Sequence, residues 1–378
     1  MYGRSRPIID KPRFIQAPTF AGAGYQPFPT GPGAPPYRAN VADLIRDLPA
    51  NLDRKMVFHI CGDTGGVKDP NPQVRVIDAM EADYQHSAAD AKPAFFYHLG
   101  DVVYFNGAEN EYYGQFNHPY EYYPPAIVAI PGNHDGAPLP NGGQVPSGIG
   151  TFIENFCAAP AARGRTPEAQ DTPREAMHQP NPYWTLLTPL ATFIGLYTNV
   201  PEGGEVKQPQ EDWFINELKQ ADRNKAILVA LHHPPLSADG HHSGSQKMKD
   251  LLDRAVKAAG VHPDVVFTAH VHNYQRFTRS EGEKHHTFIV AGAGGYHHLH
   301  TIANFQGAKV TTPFRDLQSD VVLEKYVDDT HGFMRVEIEG DLITCRYLAV
   351  ARPHEPANLP ARVADFFQVK WRSDRLVR

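Results

Sequence analysis

The chain has 378 residues, enough for two or three domains or for one large α/β domain. Hydrophobic residues make up 41% and charged residues 21%, which excludes global disorder, and a net charge of −6 argues against a broad basic face for a nucleic-acid polymer. The three cysteines Cys61, Cys157 and Cys345 offer neither a disulfide framework nor zinc spacing, and no apolar run approaches the roughly 18 residues of a membrane span.

Residues 1–40 are dense in Pro and Gly and predict no regular structure. Their aromatic and aliphatic content (Phe14, Ile15, Phe20, Tyr25, Phe28, Tyr37) suits an arm that wraps a core. We therefore divide the chain into an N-terminal arm, 1–50, packed on a catalytic domain, 51–378. The opening Met1-Tyr2-Gly3-Arg4-Ser5-Arg6-Pro7 has no apolar segment behind it, so a cytoplasmic protein is expected, or a periplasmic or secreted one if the chain is trimmed.

Met56 to Cys61 reads as a strand. Pro72 to Ala89 reads as a helix, with Val74, Ile77, Met80 and Ala88 near helical spacing and Pro72 in its first turn. Strands follow at Ala94 to Leu99 and Ala126 to Ile130, separated by a short helix at Glu109 to Phe116. Segment 136–182 is rich in Pro, Gly and Asn, holds one helix candidate at Thr151 to Cys157, and reads as a lid-like insertion. Beyond it come a hairpin (Tyr183 to Leu187, Ala191 to Tyr197), helices at Gln210 to Ala221 and Ser245 to Ala259, and strands at Ala226 to Leu231, Asp264 to Thr268 and Thr287 to Ala291. A last hairpin turns at Glu339-Gly340-Asp341, and an amphipathic tail, 361–378, packs at the surface. Continuously apolar strands alternating with helices imply an α/β fold whose sheet is covered on both faces.

Five apolar runs end in residue types that bind metals. They deliver Asp63, Asp101 with Tyr104, Asn133, His232, and His270 with His272. Four oxygen donors and three imidazoles suit a pair of hard-to-borderline cations such as Fe, Zn or Mn. A carboxylate between two ions holds them roughly 3.5–4 Å apart, the spacing that clamps the attacking and leaving oxygens of phosphoryl transfer. Asp101 is the candidate bridge.

The ordered blocks Gly62-Asp63-Thr64-Gly65, Gly100-Asp101-Val102-Val103-Tyr104, Gly132-Asn133-His134-Asp135, Val229-Ala230-Leu231-His232 and Ala269-His270-Val271-His272 resemble the calcineurin-like metallophosphoesterase superfamily, and its purple acid phosphatases in particular. All five blocks are present in order; Ala269 stands where glycine is usual. The resemblance implies a four-layer α/β/β/α sandwich of two mixed sheets. It implies that Asp63, Tyr104 and His272 hold a ferric ion, that Asn133, His232 and His270 hold a divalent ion (Fe, Zn or Mn), and that Asp101 bridges. Gly65 and Tyr104 are the distinguishing pair, since most other members carry a histidine at the first position and lack the tyrosine.

The implied activity is hydrolysis of a small phosphate monoester by water activated between the ions. His134 would stabilise the phosphoryl group, Asp135 would orient His134, and His241 and His242 would bind phosphate and protonate the leaving group. A phosphodiesterase acting on cyclic nucleotides or other diesters is one alternative. A catalytically silent metal-binding regulatory protein is another, of a different class. His59 and His98 lie inside apolar runs and read as satisfied core histidines. Tyr296-His297-His298-Leu299-His300 is placed to line the pocket.

Overall fold

A computed structural model describes residues 24–139, 145–158, 172–282, 284–315, 320–352, 354–372 and 375–377. In chain order the strands are β1 (Arg38–Asn40), β2 (Lys55–Cys61), β3 (Phe95–His98), β4 (Ala126–Ala129), β5 (Trp184–Leu187), β6 (Ala191–Gly195), β7 (Ala226–Ala230), β8 (Val265–Thr268), β9 (Tyr274–Glu281), β10 (Lys284–Ala291), β11 (Asn304–Phe305), β12 (Ala308–Lys309), β13 (Phe314–Arg315), β14 (Val321–Val327), β15 (Gly332–Glu339), β16 (Leu342–Ala349), β17 (Arg362–Lys370) and β18 (Arg375–Val377). One sheet runs β1-β5-β6-β7-β8-β10-β9-β14-β13 and the other β18-β17-β16-β15-β2-β3-β4. In the first sheet β6, β7, β8 and β10 are parallel; in the second β2, β3 and β4 are. Antiparallel neighbours complete both, so both sheets are mixed.

The parallel strands are the continuously apolar runs, and they are buried on both faces. One face of each sheet packs on the other. Phe193 of β6 meets Phe58 of β2 edge-on at 5.0 Å and stacks on Tyr97 of β3 at 5.4 Å. Tyr274 of β9 stacks on Tyr347 of β16 at 4.1 Å. Helices cover the outer faces. Asn71–His86 buries Val76, Ile77 and Met80, and Gln208–Gln220 and Gln246–Ala259 lie side by side, joined by Arg254 to Glu211 at 2.8 Å. Helix Gln246–Ala259 starts where Ser245 Oγ accepts from Met248 N and stops at Gly260, whose φ of +68 suits a residue without a Cβ.

Several details depart from the sequence reading. Arg38–Asn40 is a strand, pairing parallel with β5, although the Pro and Gly of 1–40 predict none. Its ladder partner supplies what local propensity lacks. Phe28 packs edge-on against Tyr183 and Tyr197, and Tyr37 is buried, while Phe14, Ile15 and Phe20 lie outside the described residues. The short helix at 109–116 is a tight turn, Glu109–Glu111, running into a π-helical stretch, Tyr113–Asn117. There Gln115 is drawn inward to accept from Tyr104 N (2.9 Å) and donate to Tyr104 O (2.8 Å), which ties the turn to a site loop. The tail forms β17 and β18, and alternate burial of Asp365, Phe367 and Val369 explains its amphipathic pattern. In the insertion, Gln179 bonds both N and O of Ala129 and so caps the edge of β4. The lid expectation falls partly on 140–144 and 159–171, outside the described residues.

Candidate metal centre

The five segments leave the carboxyl ends of parallel strands: Asp63 follows β2, Asp101 follows β3, Asn133 follows β4, His232 follows β7 and His270 follows β8. Ligands of open α/β sheets gather at such ends. Three of these residues hold left-handed backbone, with φ of 56° at Asp63, 54° at Asp101 and 66° at His270. Each costs of order 1–3 kcal/mol and persists only where its surroundings impose it. Asp63 N donates to Gly100 O at 2.9 Å and His270 N donates to Asp63 Oδ2 at 2.7 Å, so the loops fix one another across the two sheets.

The side chains converge. Tyr104 Oη lies 3.1 Å from Asp63 Oδ1 and 3.4 Å from His272 Nε2, and His272 Nε2 lies 3.5 Å from the same Asp63 oxygen. Asn133 Oδ1 lies 3.1 Å from His232 Nε2 and 3.0 Å from His270 Nδ1. Between these two groups, Asp101 Oδ1 lies 3.5 Å from His232 Nε2 and accepts from His134 N at 2.9 Å. The far nitrogens are held by backbone, His232 Nδ1 at Leu99 O (2.9 Å) and His272 Nδ1 at His298 O (3.0 Å), which fixes ring orientation.

Glycines make the room. A Cβ on Gly132 would sit 2.1 Å from Asp101 Oδ1. One on Gly65 would sit 2.7 Å from the Tyr104 ring, so Tyr104 takes the space a side chain at 65 would need. Ala269 is not among the described residues with positive φ, and its methyl packs against Gly62, where a second Cβ would come within 2.6 Å. The replacement of glycine at 269 is therefore unstrained.

Charge and burial conflict here in a way that fits cations. Asp63 is buried and its pKa is pushed up to about 7, by burial first and by Asp101 next, against the pull of His232 and His270. Burial also works against ionisation of Asp101, but His232, His134 and His270 outweigh it and hold Asp101 well below the usual carboxylate range. Burial lowers His232, yet Asp101 and Asp63 raise it to about 9. Burial pushes His272 down to about 3. Paired buried carboxyls and an amide oxygen, beside His270 and His272 held toward the neutral form and a His232 that the carboxylates drive to hold a proton, form a donor set in which cations would take that proton's place.

The calcineurin-like phosphoesterase model matches residues 56–274, more than half of the chain and all five blocks. The chain belongs to the calcineurin-like phosphoesterase family. It is 30% identical over 154 residues to a probable purple acid phosphatase 20 of Arabidopsis thaliana, covering 38% of this chain and 32% of that one. It is 27% identical over 237 residues to purple acid phosphatase 1 of Ipomoea batatas, covering 60% and 44%. The chain thus spans less than half the length of these curated relatives. Its fold matches the purple acid phosphatase PPD1 of yellow lupin with a TM-score of 0.55 at 14% identity, over 84% of this chain and 54% of that one.

Within this calcineurin-like fold, more histidines surround the convergence point. His134 Nδ1 lies 2.8 Å from Phe105 O, which leaves Nε2, 4.0 Å from Asp101 Oδ2, toward the centre. Asp135 departs from its expected role as the partner that orients His134. Its carboxylate accepts from Gly132 N (2.8 Å), Val102 N (3.0 Å) and Val103 N (3.2 Å), so it locks the loops after β3 and β4 together. Three backbone donors offered by two loops outcompete one half-buried imidazole. Asp239 Oδ2 accepts from both His241 N and His242 N, at 2.9 and 2.8 Å. His242 then packs on His270 at 4.5 Å, and His241 stacks on His300, which stacks on His272. Tyr296 lies 4.3 Å from the Tyr104 ring.

Sequence reasoning missed Glu202. Its Oε1 lies 3.0 Å from His242 Nδ1 and 3.5 Å from His270 Nε2. The turn Pro201-Glu202-Gly203-Gly204 carries no spacing that signals this. His59 and His98 are buried and bonded: His59 to Tyr123 (2.8 Å) and Asp83 (2.9 Å), His98 to Thr64 (2.8 Å).

Proposed function

We propose that the chain hydrolyses small phosphate monoesters with a purple acid phosphatase-like binuclear metal centre. The convergence of seven donors on one point at the strand ends carries this reading. Asp63, Tyr104 and His272 would hold a ferric ion, Asn133, His232 and His270 a divalent Fe, Zn or Mn ion, and Asp101 would lie between them. Such a pair supplies neutralisation of charge on phosphorus-bound oxygens and a lowered pKa for the attacking water.

The chain's own groups do the rest. His134, steered by Phe105 O, directs Nε2 at a phosphoryl oxygen. Glu202 accepts from His242 Nδ1, so burial, which lowers the His242 pKa, is outweighed and the ring's hold on a proton is strengthened. A protonated His242 donates from Nε2 to the departing alkoxide. His241 shares the Asp239 anchor and faces the phosphate from beside it. A panel of activated aryl monoesters and diesters, turned over by metal-replete protein, tests the reading. Faster monoester hydrolysis is the expected result; hydrolysis of neither would overturn it.

A further inference from the structure

A second group of metal-binding side chains lies away from this centre. His262 follows the helix Gln246–Ala259, Glu281 ends β9 and His286 lies in β10. Cross-strand pairing sets His286 opposite Arg279, so His286, Arg279 and Glu281 share one face of the hairpin. Arg279 is engaged by Asp253 (2.6 Å) and Asp320 (2.7 Å), which directs its charge elsewhere. The His262 and His286 rings lie face to face, 4.2 Å apart and 14° from parallel. Both Nε2 atoms lie 3.5 Å from Glu281 Oε2, and the three donor atoms all lie within 4.8 Å of one another.

That spacing suits a shared ion. Each contact is long for a hydrogen bond to a carboxylate. Donors at about 2.0–2.1 Å from a tetrahedral ion, by contrast, stand about 3.4 Å apart. We propose that His262, Glu281 and His286 form a second, separate site for a borderline divalent transition ion, zinc in the first instance. Two imidazoles and one carboxylate select such an ion over Mg²⁺ or Ca²⁺, which prefer oxygen ligands throughout. The fourth position faces solvent, since Glu281 is exposed and His262 partly so.

The site is remote from the phosphoesterase centre. His286 lies near the start of β10, and Gly292, where a Cβ would press on Asp63, lies just past its end, roughly 20 Å away at about 3.3 Å per residue. An ion here ties the exit of the helix Gln246–Ala259 to the β9–β10 hairpin. It acts on stability, not on turnover.

Zinc chloride titrated calorimetrically into the metal-replete 378-residue chain tests this. One further equivalent per chain is expected. His262→Ala and Glu281→Gln should each weaken it by more than the roughly 10–100-fold that loss of a supporting partner costs. His285→Ala, altering a neighbour that faces Ser280 at 3.2 Å, should leave it intact. Hydrolysis of an aryl phosphate and the metal content of the strand-end centre should be unchanged in all three variants, which reports that they are folded. No further equivalent in the wild type, or one that survives both His262→Ala and Glu281→Gln, would overturn the proposal.

Discussion

Asp135→Asn separates two accounts of the residue that follows His134. The Asp135 carboxylate accepts from three backbone amides of two loops, those of Gly132, Val102 and Val103. In the amide variant one oxygen becomes a donor, so either Gly132 N or the Val102 and Val103 pair faces N–H instead of an acceptor. A buried donor left unpaired costs about 1–3 kcal/mol, and bonds to a charged acceptor contribute about 1.5–3 kcal/mol. A loss of about 2–4 kcal/mol follows, because the fully buried site excludes water. These loops carry Asp101 and Asn133, so metal content should fall along with Tm. Thermal unfolding with and without chelator, alongside elemental analysis, reads both. If Asp135 acted by orienting His134, turnover would drop while Tm and metal content stayed at wild-type values. That pattern would refute the loop-locking argument.

Glu202→Gln removes the anion facing His242 and His270, and a charge-assisted bond of about 1.5–3 kcal/mol implies a kcat/KM lower by roughly 10–100-fold with metal content retained, read by steady-state kinetics and elemental analysis. Gly65→Ala places a methyl within 2.7 Å of the Tyr104 ring and 2.5 Å of Gln115 Oε1, so the phenol should shift and any visible tyrosinate–iron absorption should weaken or vanish. His331, buried and bonded to Tyr296 O, is pushed down to about 4 mainly by burial. The folded state therefore binds this proton less readily than the unfolded chain, whose histidine titrates near 6.5. The stability it confers is complete above that value and lost as pH falls toward 4, a term of about 3 kcal/mol. Denaturant unfolding from pH 7 to 4 should show a shallower decline in His331→Gln than in the wild type.

Much of the fold is visible in the chain because its parallel strands are buried on both faces. Apolar runs such as Met56 to Cys61 and Ala226 to Leu231 then stand out without any partner in view. The metal-ligand types are legible for a related reason, since each sits just past such a run. Features that rest on distant pairing are not. Arg38–Asn40 becomes a strand because β5 accepts it, and Glu202 meets His242 and His270 through loops separated by many residues. In sequence Asp135 reads as the partner of its neighbour His134, while its bonds go to backbone donors that leave no trace in side-chain pattern. The His262–Glu281–His286 group likewise needs a hairpin and a helix exit to be brought together before any spacing emerges.

Two cations seated by one bridging carboxylate would carry the proposed chemistry. Metal content per chain, measured by elemental analysis with an absorption spectrum, addresses this most directly. It is best done in a His262→Ala background, so that the hairpin site contributes nothing. The predicted result is two ions, one of them iron, with a broad visible band, and loss of both ions and band on Asp101→Asn. A single ion per chain, or a content unaffected by Asp101→Asn, would contradict it.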